Sequence, residues 1–197
     1  MKRVIAVVMA ALMALSVFAF SAAAAARKDI PDGEYQVEVA EWKADEDSNS
    51  HAQMIEQIAD LSVKNGVRTI TLKTKGYTMP KDNPMKSYIK SMRVKGADGK
   101  YFDATPVGTN SAGYPAAYTF VLPSDDDVIP FQQQSMLKLG GLETGSAHGR
   151  GGYVDMRLKI YYDTLAPKGQ KVDVVTSASY TGDKENAFFQ FFKQLGL

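Results

Sequence analysis

Three phenols and two cations lie along one stretch, Tyr153-Val154-Asp155-Met156-Arg157-Leu158-Lys159-Ile160-Tyr161-Tyr162. With the period of two that a β-strand imposes, Val154, Met156, Leu158, Ile160 and Tyr162 share one side, and Tyr153, Asp155, Arg157, Lys159 and Tyr161 the other. The first side is a core face. The second follows the glycine-rich approach Gly149-Arg150-Gly151-Gly152 and is equipped for binding, because phenols both accept and donate hydrogen bonds and cations hold anions.

Other chemistries are poorly supplied. The chain has no cysteine, so disulfides and thiolate metal sites are excluded. Its two histidines, His51 and His148, are far apart and show no zinc-ligand spacing. No Gly-x-Ser-x-Gly elbow is present and neither histidine has an orienting partner in sequence, which argues against a hydrolase and, more broadly, against an enzyme. Asp125-Asp126-Asp127 lacks the spaced acids and glycine of a calcium loop and reads as a solvated turn.

Residues 1–26 begin with Lys2 and Arg3, continue as an apolar run from Val4 to Phe20 and end in alanines with Ala-x-Ala sites. This is the pattern of an export signal, favoured over a retained anchor by its small-residue end. Without Lys2 and Arg3 the 23 basic residues fall to 21 against 22 acids, so the mature chain is nearly neutral and no nucleic-acid partner is expected. Three parts are expected: the signal at 1–26, a domain at 27–163 and an extension at 164–197.

The elements that must position the tyrosine stretch are mostly strands. Glu34 to Trp42 alternates polar and apolar residues after the Pro31-Asp32-Gly33 turn. Leu61–Lys64 and Val67–Lys73 flank Asn65-Gly66, and Tyr88–Val94 and Tyr101–Ala104 flank Asp98-Gly99, both hairpin signals. Ala116–Leu122 and Ser135–Leu139 read as further strands, with loops at 76–84 and 106–115. Ser50 with Gln53 makes a capping box, which predicts a short helix over about 50–60. The sum is an all-β, immunoglobulin-like antiparallel sandwich of about eight strands with one short helix.

In the extension, 165–169 reads as a linker and Lys171–Val175 as a possible strand. Residues 186–195 place Phe188, Phe189, Phe191, Phe192 and Leu195 on one helical face. That tail either docks on the sandwich or meets a partner or a membrane surface.

The ordered landmarks from Pro31-Asp32-Gly33-Glu34-Tyr35-Gln36-Val37, through Ser50-x-x-x-Met54 and Leu61-x-Val63-Lys64-Asn65-Gly66, to the strand opened by Tyr153 resemble the NEAT (near-iron-transporter) family of haem-binding modules. The resemblance covers about 30–163. It implies a haem slot between the short helix and the last hairpin, with Tyr153 as axial phenolate ligand to ferric haem b, a hard donor on a hard ion. The family's second tyrosine, four residues on, is replaced here by Arg157, whose charge would balance a phenolate. By the same resemblance Ser50 meets a propionate and Met54 covers the distal porphyrin face, whereas read locally Ser50 is an N-cap and Met54 a core residue. His148 and Arg150 are candidates for propionate contacts, His148 also for an alternative axial imidazole.

The expected function is therefore capture of ferric haem and its transfer to another haem-transfer protein or receptor. The loop from Lys43 to Ser50 has no aromatic residue, so haemoglobin capture is not expected. No Leu-Pro-x-Thr-Gly sorting signal or apolar span follows the domain, which favours a secreted, periplasmic or non-covalently surface-held protein. The other reading is a non-haem adhesion module that binds protein or glycan through its loops.

Overall fold

The computed structural model describes residues 30–78, 85–139, 142–146 and 152–176. The export signal, His148, Arg150 and the phenylalanine-rich tail lie outside these residues. The strands are β1 (Gly33–Lys43), β2 (Ile58–Lys64), β3 (Val67–Lys73), β4 (Tyr77–Thr78), β5 (Met85–Lys95), β6 (Tyr101–Asp103), β7 (Thr105–Thr109), β8 (Pro115–Val121), β9 (Val128–Leu139), β10 (Leu142–Ser146) and β11 (Val154–Pro167). They lie in the order β4-β5-β9-β11-β1-β2-β3-β8-β7, with β10 and β6 added to β9 and β5. Every pairing is antiparallel.

β1 belongs to both layers of the sandwich. Gly33 to Glu38 pairs with β2, and Tyr35, Gln36 and Glu38 to Lys43 pair with β11. The register of β1 against β11 shifts between Gln36 and Glu38. There the Thr164 hydroxyl replaces a ladder bond, accepting from the Glu38 amide at 2.9 Å and donating to the Tyr161 carbonyl at 2.7 Å. Alternate residues of β1, β2, β3, β8, β9 and β11 point inward, so Val37, Leu61, Ile70, Tyr118, Phe131 and Leu158 share one core. Burial of such side chains stabilises by roughly 1.5–3 kcal/mol each, the main driving force for a chain with no covalent staple.

The β2–β3 turn follows its sequence signal: Asn65 and Gly66 take φ of 52° and 75°, and the Asp32 carboxylate accepts the Asn65 amide at 2.7 Å. Asp98-Gly99 instead sits in a wider loop closed by Gly96 N–H to Lys100 O and Gly99 N–H to Gly96 O.

Several expectations are corrected. Residues 50–60 form no helix: Ile55 bridges Thr74 and β2 already begins at Ile58. The capping residue is diverted, because the Gln53 amide receives the Glu41 N–H at 3.0 Å and donates to the Glu41 carbonyl at 2.7 Å, acting as a strand neighbour. The Val39 and Lys75 amides bind the Gln57 and Met54 carbonyls, so tertiary partners satisfy the backbone in extended form and outweigh a single helix turn. β9 starts seven residues before the predicted strand, its inward series Ile129, Phe131, Gln133, Ser135 disguised by two polar members. β7 lies in the predicted loop and is exposed throughout. Residues 165–167 complete β11 where a linker was expected, and 171–175 are not strand.

Gly76 shows where packing forbids a side chain. A Cβ there would stand 2.7 Å from Tyr88 Cε1, and Tyr88 cannot retreat freely because its ring stacks on Tyr114 at 5.2 Å. Gly76→Ala is therefore expected to cost about 1–3 kcal/mol in urea unfolding; an unchanged midpoint would show that Tyr88 moves without penalty.

Candidate functional site

The outward face of β11 carries the residues that the alternation assigned to it, and each is held by a neighbour. Tyr153, half-buried just before β11, lies under the Arg93 guanidinium, whose Cζ is 3.6 Å from the ring centroid. Arg93 comes from β5, brought there by the register that pairs it with Gln132 of β9 and Gln132 with Asp155 of β11. The three side chains form a row. Arg93 donates to Gln132 Oε1 at 2.7 Å and Gln132 donates to Asp155 Oδ1 at 2.8 Å. Tyr101 of β6 lies 5.8 Å from the guanidinium and its hydroxyl reaches Asp155. Burial first, then the Asp155 charge and hydrogen bond, push the Tyr101 phenol up, against Arg93. Arg93 Nε is buried and has no hydrogen-bond partner among the described residues.

Farther along β11 the pattern repeats around Trp42 of β1. Arg157 and Lys159 lie 5.6 and 5.2 Å from its ring. Arg157 donates to the Lys43 carbonyl at 2.9 Å and to Asp47 at 2.7 Å, so it fastens the acidic 43–50 loop to the sheet. Lys159 meets Asp127 at 2.5 Å, and Asp125 meets the buried Arg68 at 3.0 Å; two acids of the aspartate run are thus ion-paired. Burial, with Glu38 and Asp163 nearby, raises the Tyr161 phenol, partly offset by the Trp42 hydrogen bond.

The guanidinium stacked on Tyr153 is thus Arg93's, while Arg157, four residues on and about 13 Å away along an extended chain, is committed to Trp42, Lys43 and Asp47. Sequence reading missed Arg93, Gln132 and Tyr101, because the β5–β9–β11 register joins them across long stretches of chain. Their one sequence signal is parity: Arg93 stands between the inward Met92 and Val94.

Ser50 is half-buried, its amide on the Glu41 carbonyl at 2.7 Å. Met54 is only 2% exposed and lies in the core, its sulfur 3.9 Å from Gln133 Nε2. In this conformation it offers no surface to a ligand. Beneath it is Glu41, a carboxylate at 0% exposure whose Oε2 accepts the Met54 amide. Burial raises this carboxyl to about 7, against the Met54 and Ile55 amides, Lys75 and Gln133.

Ser146 of β10 faces Met136 of β9 and Val154 of β11 faces Gln133, so eight residue steps on one side answer three on β9.

Strands, core and register define an antiparallel β-sandwich of the immunoglobulin-like kind. The chain belongs to the NEAT family, the Iron Transport-associated domain, whose profile matches residues 28–135, more than half of the 197 residues. That span ends within β9, before Tyr153. The chain is also similar to two solved structures of the NEAT5 domain of IsdX2, a B. anthracis hemophore in complex with heme, one of them a point mutant. Each is 15% identical with a TM-score of 0.49, over 67% and 66% of this chain and 97% of theirs. No curated protein matches. Among the described residues, no helix is long and apolar enough to cross a membrane.

Proposed function

We propose that this protein is an exported binding and transfer module, not an enzyme, that takes ferric haem as cargo on the Tyr153 side of the sheet and passes it to another haem-transfer protein or receptor. Membership of an iron-transport family supplies the class. The observation that carries the site is the half-buried Tyr153 at a strand entrance with the Arg93 guanidinium 3.6 Å above its ring.

The residues present fit that cargo. A tyrosine oxygen is a hard anionic donor suited to ferric iron, and Arg93 places positive charge beside it. The row Arg93-Gln132-Asp155 fixes the guanidinium, so little side-chain freedom remains to be lost on binding. Ser50, His148 and Arg150 remain proposed propionate contacts, with His148 also a possible axial imidazole. Met54 would need the 50–56 segment to move before it could cover a porphyrin. Secretion, surface association or a periplasmic location all suit such a role.

The test is a hemin titration of the mature protein followed from the Soret band into the visible. A saturable one-to-one change with bands of tyrosinate-bound ferric haem is expected. A change that never saturates, or none, would overturn the haem reading and favour a module for protein or glycan partners.

A further inference from the structure

Glu38 is an unusual residue to find on the outward side of β1. It is 0% exposed, yet its side chain is stabilised by hydrogen-bond donors alone. A buried carboxylate without a cation is tolerated only when donors surround it. Here Gln57 Nε2 donates to Oε1 at 2.9 Å, the Val175 amide to Oε2 at 2.6 Å, the Thr176 amide to Oε1 at 3.0 Å, and the Thr176 hydroxyl also to Oε1. Gln57 Nε2 in turn meets the Thr176 carbonyl at 3.0 Å and hydroxyl at 3.1 Å. Three of the four donors come from two consecutive residues, more than a hundred positions away in sequence.

Apolar burial does not hold that segment in place. The side chains of Val174 and Val175 remain 48% and 59% exposed, so the hydrophobic effect contributes little and the polar contacts must carry the attachment. The contacts are also of the stronger kind, charge-assisted bonds from amides and a hydroxyl to a carboxylate. Burial pushes the Glu38 carboxyl up, but the bonds from Thr176, Val175 and Gln57 outweigh it and hold the group below the usual carboxylate range. The Glu38 amide is fixed separately by Thr164, so the carboxylate stands on a rigid part of the sheet.

We propose that Glu38 and Gln57 form a docking site for a bent backbone segment that presents two successive N–H groups and ends in a hydroxyl residue, occupied by this chain's own Val175-Thr176, and that this latch fixes where the C-terminal extension leaves the sandwich. The carboxylate reads two successive N–H groups and the threonine hydroxyl, while the Gln57 amide reads the threonine oxygens; no apolar pocket is needed. The site stands apart from Tyr153. Glu38 is in register with Tyr161, and Tyr153 lies eight residues earlier, about 26 Å along the strand. The latch therefore holds Val175 and Thr176 beside the middle of β11, away from the proposed ligand site, and it stands whether or not haem binds.

The experiment is amide hydrogen exchange on the full mature chain, comparing wild type with Glu38→Gln and Val175→Pro. Wild type is expected to protect the Val175 and Thr176 amides, with Glu38→Gln reducing protection by about ten- to a hundredfold. Val175→Pro removes one donor on an exposed residue, so it leaves the core intact, and it is expected to release Thr176 alone while the Leu158 and Ile160 amides stay protected. Unprotected Val175 and Thr176 amides in wild type would overturn the proposal, as would protection that survives both substitutions. Protection that appears only as protein concentration rises would assign the site to a second copy's segment and overturn the intramolecular latch.

Discussion

Glu41→Gln is expected to make the protein more stable than wild type by about 3 kcal/mol at pH 8 and by less than about 1 kcal/mol at pH 5. The carboxyl of Glu41 is enclosed by Met54, Ile55 and Gln133, and burial raises its folded-state value to about 7 from an ordinary 4.5. Below pH 4.5 both folded and unfolded chains carry the proton, and the contribution of this group to stability is fully present. Between 4.5 and 7 the unfolded chain has released its proton while the folded chain keeps it, so stability falls as pH rises, levelling off above about 7. Glu38 and Glu46 are shifted the other way, so their contributions change at lower pH and leave this window to Glu41. Glutamine mimics the protonated form: it is neutral, and its oxygen can accept the Met54 amide. Urea unfolding of both proteins at pH 5, 6, 7 and 8 measures the difference. A wild-type-minus-variant curve flat across that range would show that the buried carboxyl does not titrate there.

The second large effect concerns Tyr153. If its oxygen holds iron, Tyr153→Phe should weaken hemin binding by more than about 100-fold, beyond the 10–100-fold typical of losing a supporting residue, and should abolish the tyrosinate bands. Tyr161→Phe should leave both intact. The two tyrosines lie on the same side of one strand, so they share exposure and strand context. They differ in their neighbours: Tyr153 has Arg93 on its ring, and Tyr161 has Lys159 and Trp42. Phenylalanine keeps the ring under Arg93 and removes only the oxygen, which separates ligation from packing. Equal loss in both variants, or none in either, would sink the assignment of Tyr153 as ligand.

The local expectations that succeeded were those set by neighbours along the chain. The alternation of β11 placed Met156, Leu158 and Ile160 inside and Asp155, Arg157 and Lys159 outside. Asn65-Gly66 formed its turn because both residues adopt positive φ. Those are properties of a few consecutive residues, and they also sufficed for the all-β class and for Tyr153 at a strand entrance.

What depended on partners far away in the chain was not legible. Ser50 and Gln53 have a helix-capping pattern, yet Gln53 spends its amide on Glu41 and Met54 gives its N–H to the same residue, so the segment is extended. The arginine on Tyr153 is Arg93 and not Arg157, because strand register rather than sequence distance decides which side chains meet. Glu38 and Glu41 look alike in an alternating strand. Both are buried, one under the chain's own C-terminal segment and the other in the core. Sequence by itself determined the period, the turns and the kinds of side chain on offer; tertiary structure decided their partners, because a hydrogen bond or stacked cation needs atoms within a few ångströms and only the folded register brings them there.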